Sequence, residues 1–281
     1  MELDQAIEFF SIFGGAEEYL ELDFFDDLES IIQFNFVDKY KVLQNIISPS
    51  YLIQEPYRSV LIGASTGDGR LSNIFRKARV GEVVGMDIIQ ELLEIGIISL
   101  EESRENSLKL YPKQKLQKSL RSYKIESKVR FNIPFYRFWF GFVEPFIKDL
   151  SHHSSQRFFA NYEQHFSRLS SLVFEQLSNQ LLNQYFDNQL VSMGSYWDKN
   201  SEFDILAYTK EGKTILGECK YKNRKICKNE LSKLKQKALN SNIKVDKYAL
   251  FSKSGFSNEL LNSNDKNLIL FELKDFRSLL I

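Results

Sequence analysis

EFDILAYTKEGKTILGECKY, residues 202–221, joins two β-rich apolar segments through a short polar turn that contains a glycine. Apolar segments of this length on both sides of such a turn are typical of a β-hairpin. If residues 210–212 form a three-residue loop with the glycine in the left-handed conformation, Asp204 lies opposite Glu218. Directly opposed residues share one face of a sheet, so the sequence predicts that these two carboxylates lie side by side.

The tripeptide Glu218-Cys219-Lys220 adds a lysine to the two acids. Side chains of a strand alternate between its faces, so Lys220 joins Glu218 while Cys219 points away. Carboxylate oxygens are the ligands that Mg²⁺ prefers in proteins. The group is therefore suited to a divalent cation, with Lys220 orienting or helping to deprotonate an attacking water.

The same residues also allow a simpler interpretation, in which the acids and the lysine form an exposed salt bridge of little energetic value. Apolar residues on both strands indicate instead that the hairpin is at least half buried. They are Ile205, Leu206, Ile215 and Leu216. Charges rarely lie beside a core without a partner or a metal. The residues alone leave both interpretations open.

Several segments of the chain resemble known protein families. The spacing of Asp204 and Glu218-Cys219-Lys220 is similar to the D…ExK core of the PD-(D/E)XK nucleases, which have a restriction-endonuclease-like fold. A wider set resembles the C-terminal domain of the archaeal-type ATPase family. Its segments are Phe135–Pro145, Phe174–Glu175, Trp197–Asp204 and Leu216–Lys220. That family combines an AAA-like ATPase, a winged helix and a restriction-endonuclease-like tail.

The resemblance implies a mixed α/β fold in three parts. Residues 1–55 would form a helical, lid-like segment, and residues 56–127 a winged-helix domain. Residues 128–281 would form a PD-(D/E)XK nuclease-like α/β/α domain with a mixed sheet. We expect no ATPase core in this chain.

The resemblance also implies roles for particular residues. Asp204, Glu218 and the backbone carbonyl of Cys219 would ligate Mg²⁺ or Mn²⁺, and Lys220 would act on the water. Glu175 occupies the place of the acid that relatives carry on the first helix, where it would assist catalysis. A solvated glutamate on a helix surface is the alternative at that position.

The composition, with 43% hydrophobic and 26% charged side chains over 281 residues, is that of a globular protein long enough for two domains. Cys219 and Cys227 are the only cysteines, too few for a disulfide framework and wrongly spaced for zinc. The acidic N-terminus leads to no long apolar segment. We therefore expect no signal peptide, no membrane partner and a cytoplasmic location.

The net charge of zero hides an uneven distribution. Residues 1–110 carry 20 acidic and 9 basic side chains, whereas residues 111–281 carry 17 and 28. The basic half can attract phosphates without reading a base sequence, which favours a nucleic-acid partner, DNA more than RNA. It also suits the acidic half of this chain or of a second copy in a homo-oligomer. The predicted nucleic-acid contacts are Lys222, Arg224, Lys225, Lys228, Lys233, Lys235 and Lys237.

The N-terminal half shows helix signals but no nucleotide-binding loop. The segment Gly63–Arg70 lacks the spacing and the lysine of a P-loop, so we expect no nucleotide binding by this chain alone. Three helices followed by a strand from Ile97 are typical of a winged helix. The predicted helices are 57–64, 70–78 and 85–95. Residues 82–95 carry four acids and no base, which disfavours their entry into a DNA groove.

Three further patterns indicate packing. The aromatic run Phe131–Val143 predicts a core segment, although aromatic side chains can also stack on bases. Apolar residues at helical spacing predict a long amphipathic helix over residues 161–186. A second helix has an apolar stripe of Leu231, Leu234 and Ala238. The three histidines of the chain lack metal-binding partners at suitable spacing, and we expect them on the surface.

The leading hypothesis is metal-dependent hydrolysis of phosphodiesters in DNA or RNA. The competing hypothesis is a non-catalytic nucleic-acid-binding or assembly module that works with a separate ATPase partner, which the missing ATPase and the acidic third helix favour. A transcription regulator that acts through the winged helix is a third hypothesis, disfavoured by the charge of that segment.

Overall fold

The computed structural model shows a mixed α/β protein whose chain divides into two compact units. The described residues are 2–16, 27–104, 113–115 and 125–280, without the side chain of Leu280. The first unit comprises Met1–Glu101 and Ser127–Ser170, and the second comprises Glu102–Glu126 and Ser171–Ile281. The predicted mixed α/β class is confirmed.

Short helices make up most of the first unit. Its N-terminal elements are α1 (Leu3–Phe13), α2 (Leu28–Ile32), a π-helical segment (Gln33–Asp38), α3 (Tyr40–Gln44) and a 3-10 turn (Ser50–Ile53). Its middle elements are α4 (Tyr57–Thr66), α5 (Leu71–Ala78), α6 (Glu82–Glu94), β1 (Ile98–Glu101) and β2 (Lys128–Phe131). Its last elements are α7 (Pro134–Phe138), a second π-helical segment (Trp139–Val143), a 3-10 turn (Glu144–Phe146), α8 (Ile147–Ser151) and the first half of α9 (Gln156–Tyr185).

Helices α4, α5 and α6, followed by two strands, have the order that was predicted for a winged helix. Strands β1 and β2 are antiparallel, with Ile98 opposite Phe131 and Glu101 opposite Lys128. The second strand therefore lies beyond residue 127, where the sequence placed the end of this domain. Residues 127–170 group with the first unit, although the sequence assigned most of them to the nuclease-like domain.

The aromatic run forms the centre of the first unit, as predicted for a core segment. Phe135, Phe138, Trp139 and Phe140 are each 1% exposed or less. The ring of Phe138 lies 4.7 Å from that of Phe36, between centroids. Large aromatic side chains remove much apolar surface from water, which makes them effective at joining several short helices.

A buried ion pair lies at the edge of this aromatic core. Glu144 is 2% exposed, and its Oε1 accepts a hydrogen bond from Arg58 Nε at 2.8 Å. Its Oε2 accepts another from Trp139 Nε1 at 2.8 Å. A buried carboxylate is tolerated when both oxygens are bound in this way, and it fixes α4 against the segment after α7.

The second unit contains a five-stranded mixed sheet. Its elements are the second half of α9, β3 (Leu190–Trp197), β4 (Glu202–Thr209), β5 (Thr214–Lys220), α10 (Lys228–Asn240), β6 (Lys247–Ser252), α11 (Asn258–Leu261), β7 (Leu268–Glu272) and a 3-10 segment (Leu273–Leu280). The strands follow one another in sequence order across the sheet. Strands β3, β4 and β5 pair in antiparallel fashion, whereas β5, β6 and β7 are parallel.

Helices cover the sheet of the second unit. The predicted apolar stripe of α10 is buried in one cluster with Leu206, Leu216 and Leu250 of the strands. Helix α9 packs through Phe174, whose ring lies 5.3 Å from that of Tyr221. This helix runs from Gln156 to Tyr185, beginning five residues before the predicted start at 161.

The histidines lie on the surface, as the sequence predicted, and the two cysteines differ in exposure. The side chains of His152, His153 and His165 are exposed. Cys219 is buried, Cys227 is exposed, and both are free thiols. Among the helices that the structure describes, none is long and apolar enough to cross a membrane.

The buried ion pair of the first unit makes a stability prediction. We expect Arg58→Ala to lower the free energy of unfolding by about 3 kcal/mol, because it leaves the Glu144 carboxylate buried without its cation. Arg76→Ala serves as the control, since Arg76 is exposed and its loss costs about 0.5 kcal/mol or less. Urea denaturation followed by tryptophan fluorescence measures both. Equal effects of the two substitutions would contradict the assignment.

Candidate functional site

The β4–β5 hairpin has the register that the sequence predicted. Ile205 pairs with Gly217, and the loop glycine, Gly212, has the left-handed φ of +76°. One further residue along this register places Asp204 opposite Glu218. The hairpin therefore brings the two predicted carboxylates together, and the reason is the three-residue loop.

Asp204 is held against the backbone of the neighbouring strand. Its Oδ2 accepts a hydrogen bond from the Cys219 amide at 2.7 Å. Burial and the adjacent carboxylate of Glu218 raise the pKa of Asp204 to about 7, although the Cys219 amide and Lys220 act in the opposite direction. Two carboxylates in one small volume resist full ionisation unless a cation accompanies them.

Glu218 is 9% exposed, and its two carboxylate oxygens differ in their hydrogen bonding. Its Oε1 accepts a hydrogen bond from the Lys220 ammonium group. Its Oε2 is buried and has no hydrogen-bond partner within the described part of the chain. The Nζ atom of Lys237 forms a looser ion pair with this oxygen at 3.8 Å. A buried carboxylate oxygen without a donor is unfavourable, and a cation at that position would relieve the cost.

Lys220 joins the two acids, as the alternation along β5 predicted. Burial alone would lower the pKa of the Lys220 ammonium group, but Glu218 and Asp204 raise it above its ordinary value. Lys220 is therefore a firmly charged ammonium group in this arrangement. That state suits the orientation of a water or the stabilisation of a developing anion better than it suits proton abstraction.

Cys219 points to the α9 side of the sheet, away from Glu218. Burial raises the pKa of its thiol well above the ordinary value, and the carboxylates of Asp204 and Glu175 add to the effect. Ser178 of α9 forms a hydrogen bond with the thiol. Glu175 thus lies near the thiol that faces α9, whereas Glu218 pairs with Lys237 of α10.

No three side chains of the His, Cys, Asp or Glu type form a metal-binding group in the described ranges. Glu175 therefore does not complete such a group with Asp204 and Glu218. The side-chain ligands that the hairpin offers are the two carboxylates, to which the predicted Cys219 carbonyl would be added. The assisting role of Glu175 stays a prediction.

A basic cavity of about 250 Å³ adjoins Lys220. Lys222, Arg224 and Lys225 line it and are exposed, and the structure shows no ion pair for any of them with the residues it describes. The acid in its lining, Glu230, pairs with Lys233 at 3.2 Å. Because Lys220 borders both the carboxylates and this cavity, the two features form one continuous site.

The remaining predicted nucleic-acid contacts form ion pairs with acidic side chains of this protein. Lys228 pairs with Glu259 at 3.0 Å, and Lys235 with Asp265 at 3.0 Å. Lys237 pairs with Glu218, a contact that the sequence analysis missed. One sequence feature could have indicated this contact: Lys237 directly precedes the buried Ala238 and therefore lies at the edge of the apolar stripe of α10.

Part of the motif that suggested the family resemblance has a structural role in the β3–β4 turn. The Asp198 Oδ1 atom accepts hydrogen bonds from the amides of Asn200 at 2.7 Å and Ser201 at 2.6 Å. Its Oδ2 accepts one from the Tyr196 hydroxyl at 2.9 Å. Asp198 therefore shapes the turn that leads into β4 and is not a candidate ligand.

Comparison with known proteins gives a limited result. Residues 139–239 match the DUF234 family, described as archaeal and bacterial proteins of unknown function. This segment includes Asp204, Glu218 and Lys220 but covers less than half of the chain. No curated protein matches the sequence.

Among solved structures, protein VC1899 from Vibrio cholerae is similar to this chain at 14% identity, with a TM-score of 0.32. The similarity covers 82% of this chain and 53% of that protein, so this chain spans about half the length of the solved structure. A TM-score this low supports no conclusion about fold or function. Neither match names an ATPase or a nuclease, and the resemblance to those families stays a prediction.

The raised pKa of Asp204 makes a prediction about pH and stability. Its folded pKa exceeds its unfolded value, so the neutral side chain favours the folded state, and this advantage is lost as the pH rises from about 4 through about 7. We expect Asp204→Asn to stabilise the metal-free protein at pH 8 by about 1–3 kcal/mol, because one pKa unit corresponds to about 1.4 kcal/mol.

Urea denaturation in EDTA at pH 5 and pH 8 measures this effect, which should shrink towards pH 5. Glu211→Gln, an exposed substitution in the loop of the same hairpin, is the control and should produce no gain. A destabilised Asp204→Asn variant at pH 8 would show that the ionised carboxylate is favourable where it lies.

Proposed function

We propose that the second unit hydrolyses phosphodiester bonds in nucleic acid with Mg²⁺ or Mn²⁺ bound at Asp204 and Glu218. The observation that carries the proposal is the buried Glu218 Oε2 atom, which lacks a hydrogen-bond donor among the described residues and lies beside a second carboxylate. Such an arrangement is unfavourable for the protein alone. It becomes favourable when a divalent cation neutralises both acids.

The donor set fits a hard cation. Mg²⁺ commonly binds one or two carboxylates and keeps several waters, so Asp204, Glu218 and the Cys219 carbonyl are sufficient protein ligands. When bound, the cation would polarise the scissile phosphate and lower the pKa of a coordinated water. Because Asp204 must be ionised to ligate it, cation affinity should rise with pH through about 7.

Lys220 has the position and the charge for transition-state stabilisation. Its ammonium group binds Glu218 on one side and lines the basic cavity on the other. It would orient the attacking water and stabilise the negative charge that develops on the phosphoryl oxygens.

The basic cavity would hold the phosphates that flank the scissile bond. Lys222, Arg224 and Lys225 have no competing ion pair in the described residues, so they are available to replace the counterions of a nucleic acid. Basic residues of this kind do not distinguish one base sequence from another. We therefore propose a nuclease of low sequence selectivity, with DNA as the first substrate to test. A second copy of this chain or a separate ATPase as partner rests on the uneven charge and on the family resemblance alone.

Metal binding should depend on Glu218. We expect Mn²⁺ at ten times its Kd to stabilise the wild-type protein at pH 8 by about 1.4 kcal/mol, since it binds the folded state alone. Glu218→Gln should abolish this gain while keeping the volume of the side chain. Thermal denaturation with increasing Mn²⁺ measures the shift, and Glu211→Gln is the matched control. Unchanged metal stabilisation in Glu218→Gln would refute the assigned ligand.

Cleavage should depend on Lys220. We expect Lys220→Ala to cleave end-labelled DNA at least about 100-fold more slowly than wild type with Mn²⁺, because a charge that stabilises the transition state is lost. Lys213→Ala, at the exposed end of the same hairpin, should retain full activity.

The same experiment separates the proposal from its main alternative. Single- and double-stranded DNA and RNA are compared as substrates, with identically purified proteins. Equal traces from wild type and Lys220→Ala would indicate contamination. Salt-sensitive DNA binding without cleavage by either protein would favour a non-catalytic nucleic-acid-binding module.

A further inference from the structure

A cavity of about 310 Å³ in the first unit shares no residue with the proposed nuclease site. Three segments line it: the last turn of α4, the chain from α7 into the following π-helical segment, and the first half of α9. Its volume is within the range of small-molecule sites. The structure therefore offers a second concave surface that the nuclease proposal does not explain.

The polar side of the cavity comes from one face of α9 together with α7. Asn161, His165 and Arg168 follow one another at four- and three-residue intervals, so they lie on the same side of the helix. Arg137 of α7 adds a second guanidinium group. His165 and Arg168 are exposed and make no ion pair with other described residues.

The ionisable side chains in the described lining are all basic. The lining contains two arginines and a histidine but no aspartate or glutamate among the residues that the structure describes. Guanidinium groups stay charged at every physiological pH and match the geometry of phosphate oxygens.

The other groups of the cavity suit the uncharged part of a ligand. The Ser65 hydroxyl donates to the Ile62 carbonyl at 2.9 Å, which leaves its oxygen as an acceptor, whereas the Thr66 oxygen already accepts from Lys77 Nζ at 3.4 Å. Phe142 and Leu169 supply an apolar wall. A ligand with a phosphoryl group, hydroxyl donors and a compact apolar or ring portion would satisfy all three kinds of group.

We propose that this cavity binds a small organic phosphate of the size of a sugar phosphate or a nucleoside monophosphate. Arg168 would bind the phosphoryl group, with Arg137 adding positive charge beside it, and the Ser65 oxygen would accept from a ligand hydroxyl. Binding of this kind needs no P-loop, because side-chain guanidinium groups take the place of backbone amides. It needs no metal either, since the lining residues that the structure describes include no carboxylate to hold one.

Isothermal titration of the full chain in EDTA tests the proposal without a contribution from the metal-dependent site. The probes are AMP, ribose 5-phosphate, inorganic phosphate and adenosine. We expect saturable binding of AMP, ribose 5-phosphate or both, weaker binding of inorganic phosphate, and little binding of adenosine. Comparison of the two esters distinguishes a nucleotide from a sugar phosphate.

Charge-reversal variants test whether the phosphate ester binds in this cavity. Arg168→Glu should weaken the ester by at least tenfold, and Asn161→Asp, which adds a negative charge with little change of shape, should also weaken it. Arg76→Glu is the matched control on an exposed arginine outside the cavity and should bind as the wild type does.

Three results would overturn the proposal. They are the absence of saturable binding by either ester, equal affinity of wild type and Arg168→Glu, and binding of inorganic phosphate as tight as that of the esters. A weaker affinity of Arg168→Glu for a short DNA duplex, without ester binding by the wild type, would assign the cavity to nucleic acid instead. None of these results depends on whether the second unit cleaves DNA.

Discussion

The antiparallel register of the β4–β5 hairpin determines whether Asp204 and Glu218 lie on the same face of the sheet. Side chains alternate between the faces of a sheet, so a slip of one residue in either strand would separate Asp204 from Glu218. Two features fix the register: the left-handed Gly212 in the loop and the buried apolar residues on both strands. The same constraint places Lys220 beside Glu218 and turns Cys219 towards α9.

Electrostatic balance then shapes what surrounds the hairpin. Two carboxylates at the edge of a core would oppose folding unless cations compensate them, and Lys220 and Lys237 do so in part. The compensation is incomplete, because one oxygen of Glu218 has no hydrogen-bond donor in the described structure and Asp204 holds its proton more tightly than usual. This remaining imbalance is the physical basis for proposing a divalent cation.

The first unit also contains a buried carboxylate, but both oxygens of that carboxylate have hydrogen-bond donors. Glu144 is fully compensated by Arg58 and Trp139, so its charge contributes to packing and leaves no binding capacity. Arg168 of the nearby cavity, in contrast, is exposed and forms no ion pair with the residues that the structure describes. Within this unit, therefore, the fully paired Glu144 has a structural role, whereas Arg168 is a candidate binding residue.

Local sequence patterns were enough to predict the hairpin, its register, the helical stripes and the aromatic core, because each depends on periodicity or on a loop of fixed length. The contacts of the cations depended on tertiary structure. Lys228, Lys235 and Lys237 belonged to one basic run with Lys222 and Arg224, yet the fold brings acids from distant segments to the first three. The pairing of β1 with β2 across residues 102–127 and the cavity beside α9 also required it. The spacing of residues along the chain specifies which of them share a face of one strand or helix. Which charged side chains form ion pairs depends on segments that are distant in sequence, and therefore on the packed fold.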